Sequence, residues 1–222
     1  MLNRRALITG GEGTLAQALA RALEASGRFS EILAPGRGEL DVENGESIRT
    51  YFAGLDRLDL LINNAGTTLD LPFLKSSESD WDRVIDTNLR GAFLCSREAI
   101  RLMFRQREGH IVQVGSFSAL NPPPGQSNYA AAKAGLIGLT HSLAEEVGKR
   151  KVRVNCVLPG FLADTGMTRD LPPSVIESAK AAHVLGAFNT PEAAANFVTF
   201  LDSEMTAVSG QVFQLDSRLH RW

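Results

Sequence analysis

The stretch Ala6-Leu7-Ile8-Thr9-Gly10-Gly11-Glu12-Gly13-Thr14-Leu15-Ala16 decides the fold. A short apolar run reads as a strand, a glycine-rich turn follows at once, and residues 15–26 carry apolar side chains at helical spacing. Read from Gly11, the turn is G-x-G-x-x-A, the dinucleotide fingerprint with alanine at its last place. Glycines permit the tight turn and let backbone N–H groups approach a pyrophosphate at the positive end of the helix. Contacts to a dinucleotide are therefore expected from Gly10, Gly11, Glu12, Gly13, Thr14 and Leu15. Alone, the motif fits a plain glycine turn as well; its setting gives it weight.

That setting is an alternation. Strand-like runs at 6–9, 31–34, 58–63, 111–114, 152–158 and 211–214 are separated by helical patterns at 15–26, 47–55, 81–107, 129–147 and 191–201. Short apolar strands divided by helices imply βαβ units, hence a parallel sheet with helices on both faces. Right-handed crossovers make it doubly wound, with ligands at the carboxyl ends of the strands. One connection is unusual: Pro35-Gly36-Arg37-Gly38 runs straight into Glu39-Leu40-Asp41-Val42, read as the next strand, with no room for a helix between. Residues 161–187, interrupted by Pro172-Pro173, follow a strand end and are expected to form a substrate-binding lid.

Bulk properties narrow the class. The chain has 222 residues, 44% hydrophobic, which suits one domain with a large core. A formal charge of −2 gives no basic patch for nucleic acid or anionic lipid. Cys95 and Cys156 lie far apart in apolar surroundings and read as buried thiols, neither disulfide nor metal ligands. The first residues are too short for a signal-peptide core and no apolar run reaches membrane length, so a cytoplasmic location is expected. His110, His141, His183 and His220 do not cluster at metal-ligand spacing; only His183, within the expected lid, is a candidate for substrate contact.

Chemistry enters at Tyr129-Ala130-Ala131-Ala132-Lys133. The alanines favour a helix, and positions i and i+4 share one face, so the phenol and the ammonium meet. A nearby cation favours phenolate and draws the phenol toward the operating range of general acid–base catalysis. Ser116, just beyond the apolar run Ile111-Val112-Gln113-Val114, places a hydroxyl at a strand's carboxyl end, where it could hold a substrate oxygen. The plain alternative is an amphipathic helix with an exposed Tyr and Lys. At the ribose end, the second strand runs into Ala34-Pro35-Gly36-Arg37 with no carboxylate, and Arg37 is available for a 2′-phosphate. NADP(H) is therefore expected ahead of NAD(H); the alternative is that Arg37 is a solvated turn residue.

Together these residues resemble the short-chain dehydrogenase/reductase family over nearly the whole chain. Asn63-Asn64-Ala65-Gly66 stands where that family has its N-N-A-G turn after the fourth strand, Asn88 matches its helix asparagine, Ser116, Tyr129 and Lys133 match its Ser and Y-x-x-x-K, and Pro159-Gly160 matches the turn after its sixth strand. Residues 109–160 look especially similar to 3-oxoacyl-[acyl-carrier-protein] reductases. The resemblance implies a single-domain Rossmann fold and a carbonyl reductase. In it Tyr129 is the general acid, Lys133 lowers its pKa and holds the nicotinamide ribose, Ser116 orients the carbonyl, and Asn88 secures a relay water. It also implies cofactor contacts from Asp41, Val42, Asn63, Asn64, Ala65, Gly66, Pro159, Gly160 and Leu162, a carbonyl or acyl-thioester substrate, and no metal.

Departures from the family pattern are visible. Its usual loop is T-G-x-x-x-G-x-G, whereas Thr14 and Ala16 replace the later glycines here; the helix between the second and third strands is deleted; and Asp164, with Thr165 next, stands where a threonine is expected. An NAD-dependent alcohol dehydrogenase working oxidatively, or a non-catalytic dinucleotide sensor, are the competing readings. Apolar stripes on 90–107 and 127–149, with Met103 and Phe104, call for a covering partner, and a second copy would give a dimer; residues 215–222 could add the contact that makes a tetramer.

Overall fold

The computed structural model describes residues 4–163, 165–166 and 168–219. The calls on Asp164, Met167, His220 and Trp222 lie outside them. Six strands form one parallel sheet in the order β2-β1-β3-β4-β5-β6: β1 (Arg5–Ile8), β2 (Glu31–Leu33), β3 (Leu60–Asn63), β4 (Gly109–Val114), β5 (Val152–Leu158) and β6 (Val212–Gln214). Helices α1 (Thr14–Ala25) and α7 (Pro191–Ser203) cover one face; α2 (Gly45–Ala53), α4 (Gly91–Gln106) and α5 (Ser127–Val147) cover the other. Two further helices are α3 (Glu78–Ile85), which packs against α5, and α6 (Pro173–Ala181), which lies in the segment after β5. The doubly wound α/β fold is as the alternation implied.

Strand residues sort by parity. Leu7, Leu61, Ile111 and Val154 pair in register and pack with Ile48, Phe52, Leu102 and Met103. Ile8, Ile62 and Val112 form the neighbouring row and pack with Leu19, Leu23, Val198 and Leu201 on the other face. A slip of one residue would turn each row to the wrong helices, so the register is strongly specified. Cys95 and Cys156 are buried and free, and burial pushes both thiols up to about 12.

One expectation fails. Glu39–Val42 is not a strand, although Leu40 and Val42 are both buried in the core. Its backbone is committed locally: Glu39 N and Leu40 N donate to Gly36 O, Asp41 N donates to Ser47 Oγ, and Asn44 N donates to Asp41 O. Asn44 then caps α2, its side chain accepting from Glu46 N and Ser47 N. Leu40 and Val42 are buried because the turn lies over α2 and α4, not because the segment joins the sheet. The Asn63–Gly66 turn consequently follows the third strand of this sheet, and Pro159-Gly160 follows the fifth.

Candidate active site

The chain leaves β1 toward β2 on one side and returns to β3 on the other, so a crevice opens at the carboxyl ends of β1 and β3. A cleft of about 620 Å³ runs there from Gly13, Thr14 and Leu15 past Asn64 and Gly66 to Ser116, Tyr129 and Lys133. Pro159, Gly160, Phe161, Leu162, Thr165 and Leu171 line its far side.

The glycine turn fits a dinucleotide. A Cβ on Gly11 would stand 1.9 Å from the Ala34 carbonyl oxygen, so only glycine lets this turn lie against the end of β2. Gly10 holds φ +68°, the left-handed region. The amides of Gly11 and Gly13 are already used, donating to Pro35 O at 2.9 Å and Gly10 O at 3.1 Å. The unspent donors belong to the first turn of α1, whose N-cap Gly13 brings no side-chain acceptor and which carries no acid there. An anion is favoured at such an end by its free N–H groups and the helix dipole. Thr14 and Leu15, in that first turn, are thus better placed to meet an anion than Gly11, whose amide is spent on Pro35 in the loop after β2.

Thr9, buried at the end of β1, locks the next turn in place. Its hydroxyl accepts from Asn64 N and Ala65 N, both at 3.0 Å, and Asn64 Nδ2 donates to Thr9 O at 3.0 Å. The Asn64 side chain and Gly66 face the cleft, but Asn63 does not. Its Nδ2 donates into the core, to Ser96 Oγ at 2.9 Å and Gln113 Oε1 at 3.0 Å. Successive residues at a strand's end point to opposite faces, and the cofactor-contact expectation for the Asn63 side chain is corrected accordingly. Val42 is likewise a core residue, and the Asp41 carboxylate accepts from Glu43 N within its own turn.

Asn88 sits in a π-helical turn, Asp86–Arg90, between α3 and α4. Its Nδ2 donates to Thr67 O at 2.8 Å and Val84 O at 2.9 Å, while its buried Oδ1 has no partner among the described residues. Extra-wide turns of this kind recur at functional sites, where they re-aim a side chain. Ser116 caps the short 3₁₀ turn Phe117–Ala119, its Oγ accepting from Ser118 N at 3.1 Å. A chain of hydrogen bonds runs onward: Ser118 Oγ donates to Gln126 Oε1 at 2.9 Å, and Gln126 Nε2 donates to Asp70 Oδ2 at 2.8 Å. Asp70, Ser118 and Gln126 all line the cleft, and the motifs carried no signal for them.

Tyr129 and Lys133 share the inner face of α5, with Nζ 5.6 Å from the ring centroid. The expected lowering of the phenol's pKa is not found. Burial raises the Tyr129 pKa, a hydrogen bond with Ser116 offsets part of that, and the Asp70 charge adds to the rise. The Lys133 ammonium is turned to the Val114 carbonyl at 2.8 Å, and burial lowers its pKa to about 8. Desolvation is the leading cause of both shifts, and neither group is among the causes of the other's shift. His183 is buried and does not line the cleft: Nδ1 lies 2.7 Å from Ala179 O and Nε2 3.5 Å from Asp216. Arg218 does line it, clamped to Asp216 and stacked 4.1 Å over the Phe117 ring.

A family profile described as enoyl-(acyl carrier protein) reductase matches residues 11–220. The chain belongs to the short-chain dehydrogenase/reductase family. It is thereby an NAD(P)-dependent oxidoreductase. The 3-oxoacyl-[acyl-carrier-protein] reductase of Aquifex aeolicus is 40% identical over 215 residues, covering 95% of this chain and 85% of that one. Its counterpart in Thermotoga maritima is 44% identical over 164 residues, covering 73% and 66%. Nodulation protein G of Rhizobium sp. is 35% identical over 240 aligned residues, covering 99% and 98%. In this family member no His, Cys, Asp or Glu cluster suited to a metal ion occurs among the described residues, and no described helix is long and apolar enough to cross a membrane.

Proposed function

We propose that this short-chain oxidoreductase uses NADP(H) to reduce the keto group of a 3-oxoacyl thioester to a hydroxyl. The observation that carries the reading is the convergence of Ser116, Tyr129 and Lys133 on one cleft that begins at the glycine turn. When bound, the nicotinamide group supplies a hydride to the carbonyl carbon. Ser116 Oγ donates to the carbonyl oxygen and holds it beside Tyr129. The Tyr129 hydroxyl gives its proton to that oxygen as negative charge develops there. The buried Tyr129 phenol is protonated at neutral pH and so holds the proton that a reduction needs. Lys133, charged below about pH 8, stabilises the phenolate left behind and offers donors to a ribose. Asn88, with an unpartnered buried carbonyl oxygen, is suited to hold a water that returns the proton. Arg37 is assigned to the 2′-phosphate, and Thr14, Leu15, Asn64 and Leu162 to the body of the dinucleotide.

The names of the relatives support the 3-oxoacyl class, and the mixed lining of Phe161, Leu162 and Leu171 accommodates an acyl chain. The same reading includes a cytoplasmic enzyme that pairs with a second copy through α4 and α5. The test is loss of reduced-nicotinamide absorbance with acetoacetyl thioesters and a panel of unrelated ketones. Turnover should be highest on the thioester; activity on unrelated ketones with none on the thioester would overturn the substrate class. Tight cofactor binding with no turnover on any carbonyl would favour a sensor.

A further inference from the structure

Arg37, the one cation in residues 34–46, is already engaged. Its Nη2 donates to a Glu43 carboxylate oxygen at 2.7 Å, and its Nε lies 3.8 Å from Asp41. Glu43 is itself anchored from the other side. Thr87 Oγ1, next to Asn88 in the π turn, donates to its second oxygen at 2.5 Å, and Arg90 donates to its main-chain carbonyl at 3.3 Å. The Glu43 side chain is 28% exposed and that of Arg37 67%, so the carboxylate is the fixed member and the guanidinium the one that can turn away. Two more acids crowd the turn: Glu39 accepts from Gly36 N at 3.2 Å, and a Cβ on Gly36 would stand 2.9 Å from the Glu12 carboxyl group.

We propose that Glu43 is a specificity-determining residue of the cofactor site, which competes with the 2′-phosphate for Arg37 and thereby narrows the preference for NADP(H) over NAD(H). The proposal rests on the assignment of Arg37 to that phosphate. A phosphate monoester carries nearly two negative charges, so a carboxylate fixed on the same guanidinium repels it and must yield its hydrogen bond when it binds. A 2′-hydroxyl meets no such opposition, because it is uncharged and does not call on the Arg37 guanidinium. An affinity is reduced by the fraction of protein whose Arg37 is released, and only the phosphate-bearing cofactor is subject to that reduction.

Glu43→Gln removes the charge while keeping an oxygen for Thr87. Dissociation constants for NADPH and NADH, measured by calorimetry without substrate, should separate. NADPH should tighten by about tenfold while NADH changes by less than about twofold. Parallel changes for both cofactors, or weaker NADPH binding, would overturn the proposal. Arg37→Ala tests the underlying assignment separately. If it leaves the ratio of the two constants unchanged, the assignment of Arg37 fails. If it weakens NADPH by about tenfold to a hundredfold over NADH while Glu43→Gln gains nothing, the assignment stands and the role of Glu43 fails. Melting curves of both variants confirm that the fold is retained.

Discussion

At the residue scale, burial works against charge on both members of the Tyr129–Lys133 pair, raising the phenol and lowering the ammonium to about 8. Reductive turnover should therefore hold steady through neutral pH and fall as pH rises through about 8, where Lys133 loses its proton. A rate that climbs through that range would mean that phenolate is the working form and that the enzyme runs oxidatively. The proposed catalytic residues Asn88, Ser116, Tyr129 and Lys133 stand out in the sequence because each belongs to a motif with fixed spacing. Asp70, Ser118 and Gln126 do not, because their link is a hydrogen-bond chain between the β3–α3 loop and the start of α5. Asn63 misled for a related reason: one letter in a motif cannot tell which of two adjacent asparagines points into the core.

At the scale of elements, the fold depends on how closely the β1–α1 turn meets β2. Gly11→Ala drives a methyl group into the Ala34 carbonyl, which is backbone and cannot rotate away. Overpacking of this kind costs about 1–3 kcal/mol, or roughly 2–12 °C of melting temperature at this chain length. An unchanged melting curve would contradict the close approach. The opposite ends of the strands are tied to α7 by a buried network. Asp202 accepts from Arg4 and from His110 at 3.1 Å, with Arg153 beside it, and Asn155 meets the other nitrogen of His110. Burial, outweighing the Asp202 hydrogen bond, holds the folded His110 near 4, below its ordinary 6.5. The unfolded chain therefore takes up the proton first. Stability is full above about pH 6.5 and declines by up to about 3 kcal/mol as pH falls toward 4. Asp202, where hydrogen bonds from His110 and Arg4 outweigh burial and hold it near 2, adds a further loss as pH falls below its ordinary 3.8. Denaturant midpoints measured across this range check the sign, and His110→Gln should flatten the upper part of the decline. Most strands and helices were legible from periodicity. The segment Glu39–Val42 was not, since alternating burial arises from a turn as readily as from a strand when side chains rather than a sheet anchor it.

On the scale of the whole molecule, α4 and α5 leave a groove of about 630 Å³ lined by Phe93, Ile100, Phe104, Leu143 and Val147. With Phe93 43% exposed, this apolar face is what a second copy of the same helix pair would cover. Light scattering at micromolar concentration should give at least twice 24.0 kDa; a monomer mass would rule the pairing out. In the sequence, residues 161–187 stand out only as a long Pro-interrupted segment. Their attachment does not, because Val184 and Leu185 bond to Ser217 far along the chain. The account as a whole turns on one atom, the Tyr129 hydroxyl oxygen. Tyr129→Phe removes it and little else, so the measurement is turnover of the variant on a 3-oxoacyl thioester alongside its affinity for the reduced cofactor. The account predicts unchanged cofactor affinity with turnover reduced by about a hundredfold or more; near-normal turnover would contradict it.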